Sequence, residues 1–366
     1  MDAVTEMMER GVKDGVFPGA VLLISFEGEI KYLNAFGVTD CFSKKAMEKD
    51  NIFDLASLTK PLATVMAAAK LLEDEKLFLS QTISSVLPGY FSKDKQDITI
   101  DHLLHHTSGL PAHREYFRNL DSYDQALKRS KLRQMTADEP LISRPGEEQL
   151  YSDLGFIILA WIIEKISGQQ MDRFVQGMIY KPLGVKTLFY IDLFNSSYFP
   201  DDLYEKIVPT EKCPWRKKLI KAQVHDENTW AVGGIEGHAG LFGDAVSVWK
   251  LSMEIMNALA GRRTKALNKN VIQELLKQKK TGGFRAGFDT PSKSNSSSGR
   301  YFSPGSIGHL GFTGTSLWMD IDRSVIIVLL TNRVHPHRKN IKIRQFRPLI
   351  HDIIMEQILK GCLTHL

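Results

Sequence analysis

Strand-like segments lie near both ends of this chain, and a long helical pattern separates them. Strand patterns cover residues 19–37, 306–320 and 324–331, whereas helical patterns cover 57–221 and 343–359. The first segment predicts two strands that turn at Glu27-Gly28. Runs of strands kept apart from runs of helices predict an α+β fold rather than a βαβ repeat. With 366 residues, 43% of them hydrophobic, the chain can bury a large core.

A serine and a lysine stand three residues apart where the first apolar helix is predicted to begin, in Ser57-Leu58-Thr59-Lys60. This spacing puts both side chains on one helix face, so the amine can reach the hydroxyl and activate it as a nucleophile. A serine at a helix start also keeps its backbone N–H unpaired, as an oxyanion site requires. The ordinary alternative is a capping serine followed by a solvated lysine.

A tyrosine precedes a second long apolar helix, in Tyr151-Ser152-Asp153 followed by LGFIILAWIIEKI. On the loop that enters this helix, the Tyr151 phenol could pass protons between a nucleophile and a leaving group. The alternative is a buried tyrosine, with Ser152 or Asp153 as the helix cap.

A third segment, HLGFTGT at residues 309–315, precedes an alternating strand pattern. Its glycines suit a strand whose backbone comes close to a ligand. The N–H of Phe312 would then be a second oxyanion donor beside that of Ser57. The alternative is a glycine-bearing edge strand with an incidental His309.

Together these segments resemble the motifs of the serine β-lactamase and penicillin-binding-protein superfamily, S-x-x-K, Y-x-N and K-T-G, in the same order. The resemblance is nearest to the class C-like branch of β-lactamases, esterases and D-aminopeptidases. LLHHTSGL at residues 103–110 and GHAGLF at 237–242 are similar to further signatures of that branch. The resemblance runs from about Val16 to Ile354.

The resemblance implies a β-lactamase/transpeptidase-like fold, an antiparallel sheet flanked by helices with an inserted, mostly helical region. The sheet domain would comprise residues 1–75 and 235–366 and the insertion 76–234, with the active-site cleft between them. It implies Ser57 as the acylated nucleophile, Lys60 as its base and Tyr151 as the proton relay, with no metal or organic cofactor. Burial is expected to lower the pKa of Lys60 and so to make it a base. The residues expected to bind substrate are Asp153, His309, Gly311 and Thr313.

Departures from the motifs bear on the substrate. Asp153 replaces an asparagine, and its carboxylate could pair with Lys60 and keep that lysine charged, which leaves proton transfer to Tyr151. His309 and Leu310 stand where lysine and threonine would bind a substrate carboxylate, but leucine cannot hydrogen-bond and histidine is only partly charged at neutral pH.

We therefore predict a serine hydrolase acting on a small ester or a short amide containing a D-amino acid. β-Lactamase or D,D-carboxypeptidase activity is expected to be weak. A non-catalytic relative that binds peptides or acts as a scaffold is the alternative from another class.

Two further segments each allow two interpretations. The Ser- and Lys-rich stretch 290–303 either borders the cleft or forms a surface excursion. The basic run HPHRKNIKIRQFR at 335–347 favours a solvated face over a contact with an anionic partner.

The net charge of +5 is modest, and aromatic residues do not interleave with the basic ones, so we expect a small-molecule or short-peptide substrate and no nucleic-acid partner. The pattern does not predict an oligomeric state.

Histidines and cysteines give little sign of a metal site. The histidines His102, His105, His106 and His113 lack the acidic partner of H-E-x-x-H, so capping and core hydrogen bonds are their expected use. The cysteines are odd in number and far apart, which predicts no disulfide framework or zinc site and suits a reducing compartment: Cys41, Cys213 and Cys362.

With no basic, apolar leader at the start and no 18-residue apolar run, we expect a cytoplasmic protein with no stable membrane insertion.

Overall fold

The computed structural model describes residues 2–195, 201–277 and 283–361. The strands are β1 (Gly19–Phe26), β2 (Glu29–Gly37), β3 (Phe53–Asp54), β4 (Leu188–Tyr190), β5 (Lys212–Cys213), β6 (Lys218–Leu219), β7 (Leu241–Gly243), β8 (Ile307–Leu310), β9 (Ser316–Asp320) and β10 (Val325–Thr331). The α-helices are α1 (Asp2–Lys13), α2 (Met66–Glu73), α3 (Ile83–Val86), α4 (Ile100–Leu104), α5 (Phe117–Leu120), α6 (Gln125–Asp138), α7 (Asp153–Ser167), α8 (Met171–Val175), α9 (Asp201–Lys206), α10 (Glu227–Ala231), α11 (Ala245–Leu259), α12 (Lys269–Leu275) and α13 (Ile343–Leu359).

The main sheet joins the two ends of the chain. Within the described residues it has five strands in the order β2-β1-β10-β9-β8, and every neighbouring pair is antiparallel. Strand β1 lies between β2 and the central strand β10, with Leu22 opposite Leu329 of β10. The α+β fold class predicted from the separated strand and helix patterns is therefore confirmed.

Both faces of this sheet are covered, which explains why β1 and β10 are almost entirely apolar. Successive side chains of a strand point to opposite faces. Leu22 and Ile24 accordingly pack in a core with α1 and α13, whereas Val21 and Leu23 pack in the larger core that includes α2, α7 and α11. Every β1 residue from Gly19 to Ser25 is therefore buried, and only Phe26, at the end of the strand, is partly exposed.

Helix α7 anchors the helical region. Its residues from Leu154 to Ala160 are all buried, its N-cap is Ser152, and Gly168 ends it in the left-handed conformation. The helix contacts α2, α4 and α6, so it holds the loop before α7 against the segment that contains Ser57.

The sequence around residue 57 forms a broken helix. A 3₁₀ turn at Ala56–Leu58 leads into a π-helical segment at Lys60–Val65, and regular α-helix begins only with α2. Such π-helical turns often occur at functional sites.

A small sheet crosses the domain boundaries that the sequence predicted. In it, β7 pairs with β3 and also with β4, which lies inside the region 76–234. Within the described residues, the strands of the main sheet come from residues 19–37 and 307–331. The division into 1–75 with 235–366 and 76–234 remains a proposal.

The stretch 290–303 packs against the last helix. Arg300 forms an ion pair with Asp352 of α13 at 2.8 Å, and His351 contacts the Ser297 carbonyl oxygen at 3.0 Å. Phe302 and Ser303 are buried. This stretch is thus attached to α13 and does not line the cavity at Ser57, although Asp289, just before it, does.

Candidate active site

Ser57 lies on a strained turn directly after β3. Ala56, the preceding residue, has a φ of +49°, which is rare for a residue with a side chain. Asp54 stabilises this conformation, because its Oδ1 accepts from the N–H of Ala56 at 2.9 Å and its Oδ2 from the N–H of His225 at 2.6 Å. Thr59 also donates to the Ala56 carbonyl oxygen at 2.6 Å. These bonds fix the direction of the Ser57 side chain.

Lys60 is fully buried and reaches the serine. Its Nζ donates to Ser57 Oγ at 3.2 Å, to Asp153 Oδ1 at 2.6 Å and to the carbonyl oxygen of His238 at 3.0 Å. Nζ also lies 4.7 Å from the centroid of the Tyr151 ring. The structure therefore brings Ser57, Lys60, Tyr151 and Asp153 together, although they come from two distant segments.

The expectation that burial lowers the pKa of Lys60 was wrong. Burial favours the neutral amine, but the charge of Asp153 and the interactions of Lys60 with Asp153 and Tyr151 outweigh this effect and raise the pKa of Lys60. Burial also favours the neutral acid of Asp153, yet the Lys60 charge and a hydrogen bond from His113 hold its pKa well below the usual range. Lys60 is thus an ammonium at rest, as the alternative pairing with Asp153 had predicted.

Tyr151 is positioned by the segment 103–113. The backbone carbonyl oxygen of His106 accepts from the N–H of Leu150 at 2.8 Å. The ring Nδ1 of His106 accepts from the N–H of Ser152 at 3.0 Å. The His106 ring lies 4.8 Å from the Tyr151 ring. Burial raises the pKa of Tyr151, and interactions with Lys60 and Ser57 counter part of this rise, so the phenol is protonated at rest.

The hairpin between β8 and β9 closes over the serine turn. Thr313 donates to the Asp54 carbonyl oxygen at 2.7 Å and Thr315 to that of Leu55 at 3.1 Å. A Cβ on Gly311 would lie 2.7 Å from the Leu55 carbonyl oxygen, so only glycine permits this approach. Thr313 was expected to bind substrate, but its buried hydroxyl is used here to attach the hairpin.

Two backbone N–H groups near Ser57 are available to a ligand. Among the described residues, neither the amide of Ser57 nor that of Phe312 donates a hydrogen bond to the protein. Their segments are held together by the threonine bonds of the hairpin. The assignment of these two amides as oxyanion donors stays a prediction.

The cavity beside Ser57 has a volume of about 340 Å³. Its lining is mostly aromatic, apolar and basic: Ser57, Tyr151, Phe284, Asp289, His309, Leu310, Gly311, Phe312, Arg333, Ile341, Ile343, Arg344 and Arg347. His309 and Gly311, two of the residues predicted to bind substrate, thus line this cavity. Asp153 does not line this cavity, because its oxygens bind Lys60 and His113.

His309 carries no charge at neutral pH, which corrects the expectation of partial charge. Burial and the Lys60 charge lower its pKa to about 3. Its Nδ1 lies 2.9 Å from the Leu310 carbonyl oxygen, to which it donates as the neutral tautomer, and this leaves Nε2 as an acceptor. His309 and Leu310 therefore offer a substrate carboxylate no cation.

Sequence reasoning did not assign His106, His113 or His238 to the site. His238 supplies a carbonyl to Lys60, His106 orients the Tyr151 loop, and His113 binds Asp153 Oδ2 at 3.1 Å. All but His113 lie within the signature segments 103–110 and 237–242, which therefore were the available signal. Thr99 is the N-cap of α4: its side chain accepts from the N–H of His102, and the His102 side chain accepts from the N–H of Thr99. The described residues contain no group of three or more His, Cys, Asp or Glu side chains arranged to hold a metal ion.

A mixed fold and a cleft with this serine, lysine and tyrosine are those of a serine hydrolase. The chain belongs to the beta-lactamase family, whose model, described as "Beta-lactamase", matches residues 4–351.

Comparison with known proteins agrees with this assignment. The chain is 29% identical over 354 residues to a Salmonella typhi protein named "Putative D-alanyl-D-alanine carboxypeptidase", covering 90% of this chain and 82% of the relative. Its fold is similar to that of EstCE1, a hydrolase with promiscuous acyltransferase activity, with a TM-score of 0.72, 23% identity, and coverage of 95% of this chain and 98% of that one. It is also similar to an octameric penicillin-binding protein homologue from Pyrococcus abyssi, with a TM-score of 0.74, 17% identity, and coverage of 98% and 77%. No helix in the described ranges is long and apolar enough to cross a membrane.

The contact between His113 and Asp153 predicts a pH-dependent contribution to stability. The hydrogen bond to Asp153 raises the pKa of His113. A raised pKa in the folded state stabilises below the unfolded value of about 6.5, and the gain is lost as the pH rises through the folded value. We expect His113→Asn to lower the Tm more at about pH 5.5 than at about pH 9. Thermal unfolding at both pH values measures this, with His337→Asn, at an exposed histidine, as the control. The same loss of Tm at both pH values would contradict it.

Proposed function

We propose that the protein hydrolyses a small ester or a short amide containing a D-amino acid, through an acyl-enzyme on Ser57. The observation that carries this proposal is the 3.2 Å contact between Ser57 Oγ and Lys60 Nζ, at the edge of a cavity that Tyr151 and Phe312 also line. An ordinary helix-capping serine would not need a fully buried lysine beside it.

In the proposed reaction, Ser57 Oγ attacks the substrate carbonyl and the oxyanion is bound by the N–H groups of Ser57 and Phe312. Because Lys60 is already protonated, we assign proton transfer to Tyr151. Its Oη accepts the serine proton as its own proton passes to the departing alcohol or amine. The Lys60 ammonium stabilises the negative charge that develops on the two oxygens. Lys60 would then act electrostatically, rather than as the resting base that the motif implied.

Hydrolysis of the acyl-enzyme reverses these steps. Water attacks the serine ester, Tyr151 accepts its proton and returns one to Ser57 Oγ, and the acid is released. All atoms and protons balance without a cofactor.

The names of the relatives suggest D,D-carboxypeptidase activity as a second candidate. Such a substrate ends in a carboxylate, which neutral His309 and Leu310 do not bind as an ion pair. Among the residues that line the cavity, the cations that could bind it instead are Arg333, Arg344 and Arg347. A role in binding peptides without catalysis is the remaining alternative, and it predicts that Ser57 is never acylated.

Acylation distinguishes these possibilities. Wild-type protein is mixed with p-nitrophenyl butyrate or with benzylpenicillin, quenched within seconds, and analysed by intact mass and peptide mapping. We expect a butyryl group on the peptide that contains Ser57 and little penicilloyl product. Rapid, complete labelling by benzylpenicillin would favour the second candidate. The absence of any adduct, together with no release of p-nitrophenol, would favour a non-catalytic protein.

A further inference from the structure

A hydrogen-bonded path leads from Ser57 to the protein surface without passing through the cavity. Lys60 Nζ lies 3.2 Å from Ser57 Oγ and 2.6 Å from Asp153 Oδ1, and Asp153 Oδ2 lies 3.1 Å from Nδ1 of His113. The side chain of Lys60 is fully buried, that of Asp153 is 16% exposed and that of His113 is 42% exposed. Neither Asp153 nor His113 is among the residues that line the cavity beside Ser57. A group at position 113 therefore acts on Ser57 through Asp153 and Lys60.

Asp153 has one oxygen for each of two groups that can carry positive charge. Its Oδ1 accepts from the Lys60 ammonium, and its Oδ2 contacts the His113 ring. Two cations that bind one carboxylate compete for its charge. Protonation of His113 is therefore expected to weaken the hold of Asp153 on Lys60.

Most of the charged groups around His113 are acidic. They are Asp153 at the start of α7, Asp226 and Glu227 at the start of α10, and Glu115 in the same loop as His113. The hydrogen bond with Asp153 raises the pKa of His113, burial opposes this rise, and the charges of the three acidic residues from α7 and α10 add to it. His113 consequently holds a proton to a higher pH than an ordinary histidine does.

Asp153 is the carboxylate that His113 contacts at hydrogen-bond distance. The other charged neighbours are paired with further groups: Asp226 with His238 at 3.0 Å, Glu227 with Arg338 at 2.6 Å, Glu115 with Arg118 at 2.5 Å, and Arg114 with Glu139 at 2.7 Å. Protonated His113 therefore directs its charge mainly at Asp153.

The charge of Asp153 works against the reaction proposed above. Burial raises the pKa of Tyr151, the Lys60 charge lowers it, and the Asp153 charge raises it again. Negative charge at Tyr151 Oη is thus favoured by the ammonium and opposed by the carboxylate. A positive charge on His113 offsets the carboxylate and leaves the ammonium to stabilise the reacting oxygens.

We propose that His113 is a positioning residue that regulates this site: as an imidazolium it binds Asp153 more strongly and leaves more of the Lys60 charge to the oxygens of Ser57 and Tyr151. The inference rests on the function proposed above and adds a residue outside the cavity. Its consequence is that ester hydrolysis is faster while His113 is protonated.

Two replacements of opposite kind test this role. His113→Asn keeps a hydrogen-bond donor but never carries a charge, whereas His113→Lys stays charged from about pH 5.5 to about pH 9. Initial rates with p-nitrophenyl butyrate give kcat/KM at both pH values, with circular dichroism as evidence of folding. At about pH 5.5, wild type and His113→Lys should both be about fivefold more active than His113→Asn. At about pH 9, wild type should match His113→Asn, while His113→Lys keeps its advantage.

Comparing the proteins at one pH cancels the titrations that they share, such as that of Asp289, a carboxyl in the cavity whose pKa burial raises to about 6. His337→Asn, at an exposed histidine outside the cavity, is the control and should match wild type at both pH values. If both His113 variants lose the same activity at both pH values, His113 has only a structural role, and the proposal is overturned although esters are hydrolysed. Equal activity of His113→Asn and wild type at about pH 5.5 would overturn it too.

If wild type hydrolyses no ester, the proposed function fails, and the competition for Asp153 is measured by itself. NMR titration of the His113 ring gives its pKa in wild type and in Lys60→Met. We expect a higher pKa in the variant, because the carboxylate no longer has the ammonium as a partner. If Lys60→Met does not fold, Asp153→Asn takes its place and should lower the pKa of His113. An unchanged pKa overturns the proposal in either case.

Discussion

Replacing Ser57 by alanine is expected to reduce the hydrolysis of p-nitrophenyl butyrate by on the order of 10³-fold or more, because no other group can form the acyl-enzyme. The fold should be unaffected, since the turn around residue 57 is held by Asp54 and Thr59 rather than by the serine hydroxyl. The measurement is the initial rate of p-nitrophenolate release, with unchanged circular dichroism and Tm as evidence of folding.

Ser122→Ala is a suitable control for this experiment because Ser122 is an exposed serine outside the cleft. It should retain the wild-type rate. If Ser57→Ala were as active as wild type, Ser57 would have no part in the reaction. If all three proteins were inactive, the substrate would have to differ strongly from this ester, or the protein would be non-catalytic.

Replacing Lys60 by methionine is expected to destabilise the protein by about 3 kcal/mol, because the largely buried carboxylate of Asp153 loses its lysine partner and keeps only the contact with His113. The double variant Lys60→Met with Asp153→Asn removes both charges and should recover most of the loss. Part of the cost will remain, since the carbonyl of His238 also loses a donor. Urea unfolding at neutral pH measures the free energies, and equal m-values would show that the denatured states are comparable.

The exposed pair between Lys206 and Asp50 provides the control. Its Nζ–Oδ2 distance is also 2.6 Å, but the side chains are 45% and 54% exposed, so Lys206→Met should cost less than about 1 kcal/mol. A loss in Lys60→Met no larger than in Lys206→Met would show that the buried pair is not a source of stability. A double variant as unstable as Lys60→Met would show that the loss is not due to an unpaired Asp153.

These two experiments separate the roles of the serine and the lysine. Loss of activity in Ser57→Ala concerns the covalent step alone. The behaviour of Lys60 depends on Asp153, which raises the pKa of the lysine and makes Tyr151 the better candidate for proton transfer. The replacement of asparagine by aspartate in the second motif is therefore the departure with the largest expected effect on the mechanism.

Local pattern was enough to predict several elements closely. The two strands predicted for residues 19–37 are β1 and β2, and the last helix, predicted near 343–359, is α13 at Ile343–Leu359. These segments are long and strongly patterned, so short-range propensity and burial agree in them. The short strands β3, β4 and β7 were not predicted, because strands of two or three residues have no periodicity of their own and form only when their partners are in place.

The basic run at 335–347 shows where the pattern misleads. Its charge pattern favours a solvated face, but Arg338 forms ion pairs with Glu211 and Glu227, and Arg344 and Arg347 line the cavity beside Ser57. Charge in a sequence does not reveal which side chains face a cleft. That depends on how the last helix packs on a sheet whose strands come from both ends of the chain.

The sequence by itself determined the α+β class and the major strands and helices, because these follow from periodicity. Its motif spacing also pointed to the serine, lysine and tyrosine that the fold brings together. Only the tertiary structure decided the protonation of Lys60, the neutrality of His309, the burial of Thr313 and the convergence of three arginines on the cavity. Each of these depends on distances between residues far apart in the chain and on burial, which sets the strength of electrostatic interactions, and neither quantity is contained in local sequence pattern.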